Sequence, residues 1–226
     1  MRRNTARSTM GSVDHAAGHD RETATSHYFD EEPSTPSRPH VVTLELPDMK
    51  LEIVTDAGVF GAQKQKVDPG TRTLLMLAPD PPPEGEILDL GCGYGPIALA
   101  LGKRAPRARI WAVDVNQRAL ELVGQNARKL GVSNVTTSRP EDVPEGLRLA
   151  AIYSNPPMRI GKPALHRMLI HWLQRLAPDG SAFLVVHKHL GGDSLAAWTQ
   201  EQGFPTRRIG SKSGFRILEV ASASGE

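Results

Sequence analysis

The chain predicts an α/β fold: an open, mostly parallel sheet with helices on both faces, closed by an antiparallel hairpin. Apolar runs of strand length alternate with segments of helical periodicity from residue 84 onward. One such run, residues 87–90, ends in Gly91, Gly93 and Gly95, and a helical pattern starts at Pro96, giving strand, tight loop and helix. The last two runs, residues 206–209 and 215–220, lie close enough to pair as a hairpin.

The elements follow in order. Residues 1–39 are rich in Ser, Thr, Arg, His, Asp and Pro without apolar periodicity, which predicts a disordered tail. A single domain over 40–226 follows, divided into a hairpin and helix (40–83) and a core (84–226). Residues 41–46 and 51–55 predict a hairpin around Pro47 and Asp48, and Val59-Phe60 a further short strand. Asp68-Pro69-Gly70-Thr71 starts a helix through Leu74, Leu75 and Leu77, and a proline-rich connector over 78–83 leads to the glycine-loop strand. Residues 110–113 read as the next strand, and Leu120, Val123, Ala127 and Leu130 as one helical face. Residues 135–137 make a third strand, 139–148 a loop and 149–153 a fourth strand. Leu165, Met168, Leu169, Trp172, Leu173 and Leu176 form an apolar helical stripe that reads as core. Residues 182–186 are a buried strand, and residues 195–198 sit in a short helix.

Composition excludes several classes. With 226 residues and 39% apolar content, the chain can bury one good core. Three arginines stand among the first seven residues, but no apolar segment follows, so no secretory signal is predicted. No run approaches the roughly 18 apolar residues of a membrane span. Cys92, the only cysteine, excludes an internal disulfide, suits a reducing cytoplasm and reads as a small packing residue of the loop. No metal-ligand spacing is visible. A net charge of +2 is too modest for a generic polyanion binder. Its distribution says more: residues 156–189 hold five Arg or Lys, four His and one acid, Asp179, and residues 203–216 add Arg207, Arg208, Lys212 and Arg216 without an acid. Solvated helix faces and a nucleic-acid surface both fit that pattern.

Two segments carry chemistry. In the first, Asp114 stands at the end of the second core strand, nineteen residues past Gly95, placed to accept hydrogen bonds from ribose hydroxyls. The spacing is G-x-G-x-G, with Pro96 where a dinucleotide fingerprint has its third glycine, which suits a nucleoside without a pyrophosphate. In the second, Ser154-Asn155-Pro156-Pro157 closes the fourth strand at the carboxyl edge, where open sheets bind ligands. The prolines fix an extended, rigid turn. The Asn155 side-chain oxygen and the Pro156 carbonyl offer two acceptors that match the two N–H bonds of an exocyclic amine. A plain strand-ending turn is the competing reading.

The first segment resembles motif I of the class I S-adenosylmethionine (SAM) methyltransferases, and Val113-Asp114-Val115-Asn116 resembles their motif II. Ser154 to Pro157 resembles the NPP(F/Y) motif of amino-methylating enzymes, with Met158 at the position that is usually aromatic. From about residue 40 to 221 the chain looks like the catalytic half of the small-subunit ribosomal RNA guanine-N2 methyltransferase C group, within the "methyltransferase small domain" superfamily. Further matches are Gly58-Val59-Phe60, Asp68 to Thr71, Ala119-Leu120 and, more loosely, residues 186–190 and 214–216. The resemblance implies a Rossmann-like seven-stranded sheet with its last strand antiparallel. It implies SAM contacts from Asp89, Gly91, Cys92, Gly93, Gly95, Asp114, Val115 and Asn155. Glu141 or Asp142 is expected near the adenine. Asn155, Pro156, Pro157 and Met158 are expected to hold the amine.

The family pattern is departed from in three places. The residues before the domain are not expected to supply the second, degenerate N-terminal copy of the fold, Ala150 stands where an Asp is common, and His187 stands where an Asn is frequent. His187 and His189 fit either a structural strand end or an RNA contact. The expected activity is methylation of an exocyclic amine, foremost guanine N2 of small-subunit ribosomal RNA, with ribosomal RNA or the ribosomal subunit as partner. Adenine-N6 or protein-glutamine methylation and a non-catalytic RNA-binding scaffold are the alternatives. Oligomeric state is open.

Overall fold

The computed structural model describes residues 35–60 and 66–223. The expectation of a disordered tail over 1–39 falls almost entirely outside them. Within them, residues 35–38 lie against the domain: Ser37 Oγ donates to Asp56 Oδ2 at 2.7 Å, and Arg118 donates to the carbonyl of Thr35 at 2.8 Å.

An antiparallel hairpin of β1 (His40–Glu45) and β2 (Lys50–Thr55) leads into α1 (Pro69–Leu77). The core then alternates β3 (Glu86–Leu90), α2 (Pro96–Arg104), β4 (Arg109–Val113), α3 (Gln117–Leu130), β5 (Val135–Ser138), β6 (Leu149–Ser154), α4 (Lys162–Leu173), β7 (Leu176–His187) and α5 (Gly192–Glu201). It ends in the hairpin β8 (Thr206–Lys212) and β9 (Phe215–Ala221). The seven-stranded sheet has the order β5-β4-β3-β6-β7-β9-β8, with β9 antiparallel to both neighbours and the other pairs parallel. The chain starts in the middle at β3, winds outward to β5 and returns to β6 beside β3. The crevice between the carboxyl ends of β3 and β6 is therefore the switch point at which such sheets take ligands.

Strand alternation divides the core into two layers. Ile87, Tyr153, Phe183 and Ile217 face α1, α2, α3 and the β1–β2 hairpin, whereas Leu88, Ile152, Leu184 and Leu218 face α4 and α5. Side chains of all three following helices bond the hairpin to the core, beginning with Arg72 on α1, which donates to Glu45 O at 2.9 Å. The amide of Asn126 on α3 accepts from Val54 N at 2.9 Å and donates to Val54 O at 2.8 Å and Tyr94 O at 3.2 Å. Arg104 forks onto both carboxylate oxygens of Asp48, at 2.8 and 2.9 Å, and also reaches Leu75 O.

Two expectations need correction. Val59-Phe60 is not a strand: residues 57–60 form a turn, in which Gly58 adopts φ +84° and Val59 N donates to Asp56 O. The β propensity of Val and Phe yields here to the positive φ of Gly58, whose carbonyl accepts from Asn116 Nδ2 at 3.0 Å. Leu176 belongs to β7 rather than to the helical stripe. Helix α4 stops at Leu173, the carbonyl of Arg175 accepts from Leu149 N, and β7 begins there.

Candidate functional site

The loop after β3 is held by backbone bonds and shaped by positive-φ glycines. Gly91 N and Cys92 N both donate to Val113 O, at 2.9 and 3.0 Å, which ties the ends of β3 and β4 together. Gly95, at φ +92°, starts α2, and a Cβ there would come within 2.9 Å of Val123 Cγ2. Only glycine meets both conditions. Gly91 and Gly93 differ: the nearest atoms to a Cβ built on them are Pro157 Cδ and Val59 Cγ1, each at 4.0 Å. Their backbone is open, bordered by Pro157 on the Gly91 side and Val59 on the Gly93 side. Cys92 is buried in the core, as a packing residue should be, and burial together with the nearby Asp114 and Asp89 holds its thiol protonated.

Two carboxylates flank this loop. Asp114 Oδ2 accepts from Gly93 N at 2.9 Å and Oδ1 from Asn116 N at 3.0 Å. Burial pushes its carboxyl up from the ordinary value, against those N–H donors. Asp89 lies fully buried on the α2 face of β3, where Oδ2 accepts from Ala98 N at 2.9 Å. Its Oδ1 has no hydrogen-bond partner among the described residues. Burial first, and the charge of Asp114 after it, push the carboxyl up to about 8 against the Ala98 donor. A buried carboxyl oxygen without a partner, two residues before the glycine loop, fits a cofactor that carries positive charge: a cation bound beside it favours the ionised form over the protonated one that burial imposes.

The acceptor turn follows β6. Ser154 Oγ donates to Leu90 O at 2.7 Å, which joins the β6 end to the start of the glycine loop. Asn155 Nδ2 donates to Asp68 Oδ1 at 3.0 Å and to Thr71 Oγ1 at 3.1 Å. Both amide hydrogens are thereby committed, and Asn155 presents Oδ1 as its remaining group. Asp68 is itself fixed as the cap of α1, since its Oδ1 also accepts from Gly70 N at 2.8 Å and Thr71 N at 3.2 Å. The Pro156 carbonyl is not an uncommitted acceptor: it takes the N–H of Met158 at 2.8 Å, so one lone pair closes the turn. Met158 is half-buried and packs against the α4 layer. Pro157 borders the open side of Gly91.

Beyond β5 the two acidic candidates separate. Glu141 is paired with Arg139 at 2.6 Å, whereas Asp142 lines an open cavity of about 500 Å³ with Gln117, Leu120, Ser138 and Arg139. Val115 stands exposed beside Asp114. Sequence reasoning missed Asp68 and Thr71 as partners of Asn155 and Asn116 as the clasp on Gly58. The Asp68 segment signalled a helix start, but no local pattern signals a bond across 87 positions. No group of three or more His, Cys, Asp or Glu able to hold a metal occurs among the described residues, and no helix there is long and apolar enough to cross a membrane.

A mostly parallel seven-stranded sheet with an open glycine loop, a strand-end aspartate and an asparagine turn at its switch point defines a class I SAM-binding domain. The Methyltransferase small domain family matches residues 50–219, and the chain belongs to that family. It is a SAM-dependent methyltransferase. The chain is 33% identical over 197 residues to the uncharacterized protein YbxB of Bacillus subtilis, covering 86% of this chain and 97% of that one. It is 31% identical over 201 residues to the Ribosomal RNA small subunit methyltransferase C of Ectopseudomonas mendocina, covering 85% of this chain and 58% of the relative. It is also 34% identical over 151 residues to the Release factor glutamine methyltransferase of Moorella thermoacetica, covering 65% of this chain and 53% of the relative. The chain thus spans a little over half the length of these two enzymes. Among solved structures, the T. thermophilus 16S rRNA N2 G1207 methyltransferase in complex with AdoMet and guanosine superposes with a TM-score of 0.68 at 22% identity, covering 84% of this chain and 52% of that one.

Proposed function

We propose that this protein methylates an exocyclic amine, guanine N2 of small-subunit ribosomal RNA in the cytoplasm, with Asn155 as the residue that receives the amine. The observation that carries the reading is the commitment of Asn155 Nδ2 to Asp68 and Thr71. An asparagine amide has one acceptor and two donors. With both donors held from behind, Oδ1 accepts from the incoming N–H, and the second lone pair of the Pro156 carbonyl accepts the other. The amine nitrogen is then held by its hydrogens, with its lone pair turned away from the turn. Bound SAM supplies an electrophilic methyl group on a sulfonium sulfur. Asp89, Gly91, Cys92, Gly93, Gly95, Asp114, Val115 and Asn155 would form its seat, and Asp142 rather than Glu141 borders the cavity beyond Asp114. Rate acceleration comes from orientation and exclusion of water, because no side chain of the turn is a strong base; the methylated amine is cationic and acidic, and sheds its proton to solvent when the site reopens. A base within RNA must leave its stack to reach this turn. The chain's likeness to ribosomal RNA methyltransferase C enzymes over 85% of its length supports guanine over other amines.

Methyl transfer from labelled SAM to small-subunit ribosomal RNA from cells lacking the protein tests this, read by nucleoside digestion. Label is expected in N2-methylguanine. Label in N6-methyladenine keeps the mechanism and changes the substrate, label on protein glutamine moves the enzyme to the release-factor class, and label on ribose or a ring carbon overturns the role of Asn155.

A further inference from the structure

The cations of the C-terminal hairpin converge. Lys188, Arg208, Lys212 and Arg216 line one open cavity of about 290 Å³, and no carboxylate lines it. Asp193, at the start of α5, pairs with Arg216 from beside the cavity. Lys188 and Lys212 have no ion pair among the described residues. The cavity therefore keeps a net excess of positive charge, which repels itself until an anion enters.

These charges are mounted on rigid backbone. The β8–β9 turn places Ser213 at φ +52° and Gly214 at φ +83°. Positive φ at both central residues gives the tight hairpin whose twist matches its strands. A Cβ on Gly214 would approach His187 Nε2 to 3.1 Å, and Lys188 N donates to Gly214 O at 2.8 Å, so the end of β7 is stitched to the turn. Register pairs Arg216 with Ser211 on one side and Val186 on the other.

The cavity is also joined to the acceptor turn. Phe215, which lines it, packs against Gly70 so closely that a Cβ there would lie 2.9 Å from its ring. Gly70 N donates to Asp68 Oδ1, the same oxygen that receives Asn155 Nδ2. Across the sheet, β8 lies three strand spacings from β6, about 14 Å.

We propose that this cavity binds the phosphodiester backbone of the substrate RNA a short distance along the chain from the target nucleotide. The inference rests on the nucleic-acid reading of the substrate given above. Four cations in a fixed concave array beside the reactive turn hold the strand in register while Asn155 handles the base; backbone contacts position and base contacts specify.

The test is a double variant, Arg208→Gln with Lys212→Gln, assayed on small-subunit ribosomal RNA. KM for RNA is expected to rise about tenfold, with SAM affinity, kcat and thermal midpoint unchanged. The slope of log affinity against log salt should fall by about 1.4, at roughly 0.7 for each phosphate of a single strand that is no longer neutralised. The charge-conserving pair Arg208→Lys with Lys212→Arg should restore both. A wild-type enzyme active on RNA whose double variant keeps KM and salt slope overturns the phosphate site alone. A wild-type enzyme that methylates protein and ignores RNA overturns the reading beneath it. Loss of SAM affinity or thermal stability in the glutamine pair, restored by the conservative pair, assigns the cations to the fold and overturns the proposal.

Discussion

Asn155 and Asp68 stand 87 positions apart in the chain and 3.0 Å apart in the fold, and their hydrogen bond decides which way the Asn155 amide points. An asparagine at a strand end is free to offer either face; this one is turned by a carboxylate that already caps α1. The acceptor character of the turn is thus set by a residue outside it.

Replacing Asn155 with Ala should lower methyl-transfer kcat about 100-fold, since misplacement of the amine alone costs that much. SAM affinity, measured by calorimetry, should fall far less than the rate, because the glycine loop and Asp114 are untouched. A wild-type rate in Asn155→Ala with SAM bound removes Asn155 from the mechanism.

Asp68 acts through Asn155 and is separable from its capping role. Asp68→Ala should lose about 0.5–2 kcal/mol of stability with the cap, and kcat should fall about tenfold at nearly constant KM as the amide turns freely. Asp68→Asn retains an oxygen acceptor and an effective cap and should recover most of both. Equal kcat in the Ala and Asn variants after allowance for stability leaves Asp68 as a cap only.

Asp114→Ala should weaken SAM binding by about 1.5–3 kcal/mol for each charge-assisted hydrogen bond to the ribose that it removes. The same carboxylate receives Gly93 N and Asn116 N, so the thermal midpoint should fall as well. Asp114→Asn, which keeps an acceptor, should lose less of each. Unchanged SAM affinity in Asp114→Ala assigns the loop to another ligand.

The pH dependence follows from Asp89, whose carboxyl is raised by burial from 3.8 to about 8. Between roughly pH 4 and 8 the folded chain holds a proton there that the unfolded chain has lost. Stability is then fullest below pH 4 on this account and declines as pH rises toward 8. Asp114 shifts in the same direction and leaves part of the slope in place. Asp89→Asn mimics the protonated form, so in urea unfolding it should gain on the wild type as pH goes from 5 to 8. Parallel pH profiles for the two proteins would show that Asp89 is ionised in the fold.

Gly95→Ala should cost about 1–3 kcal/mol from backbone strain, with added loss from the clash on Val123. Chemical denaturation reads the total; a neutral result is incompatible with the φ of +92°.

The sheet was legible because its signals are local. Residues 87–90 with their glycines, the aspartate after 110–113 and the proline turn after 149–153 each announce an element and its end within a few positions. Glycine, aspartate and asparagine marked the candidate site for the same reason. The bonds between these segments were not legible. That Asn155 leans on Asp68, that Asn116 holds Gly58, and that a Pro156 lone pair is spent on Met158 depend on long-range packing or on a turn closed by one N–H. Val59-Phe60 misled because strand propensity describes side chains, whereas Gly58 decided the backbone. Arg208, Lys212 and Arg216 appeared in sequence only as a run without acids, and Lys188 belonged to a separate stretch.

Synthesis from the N-terminus gives the Asn126 clasp a timing consequence. Val54 leaves the ribosome 72 residues ahead of the amide that satisfies its N–H and C=O, a lag of roughly 4 to 14 s at translation rates of about 5–20 residues per second. Over that interval Val54 keeps its N–H and C=O unpaired, and the apolar face of Val42, Leu44, Leu51 and Ile53 has only the segments made before α3 to cover it. The hairpin's docking on α3 closes while the second half of the sheet is still unmade, so the first strands are secured well after they emerge but before β6 to β9 exist.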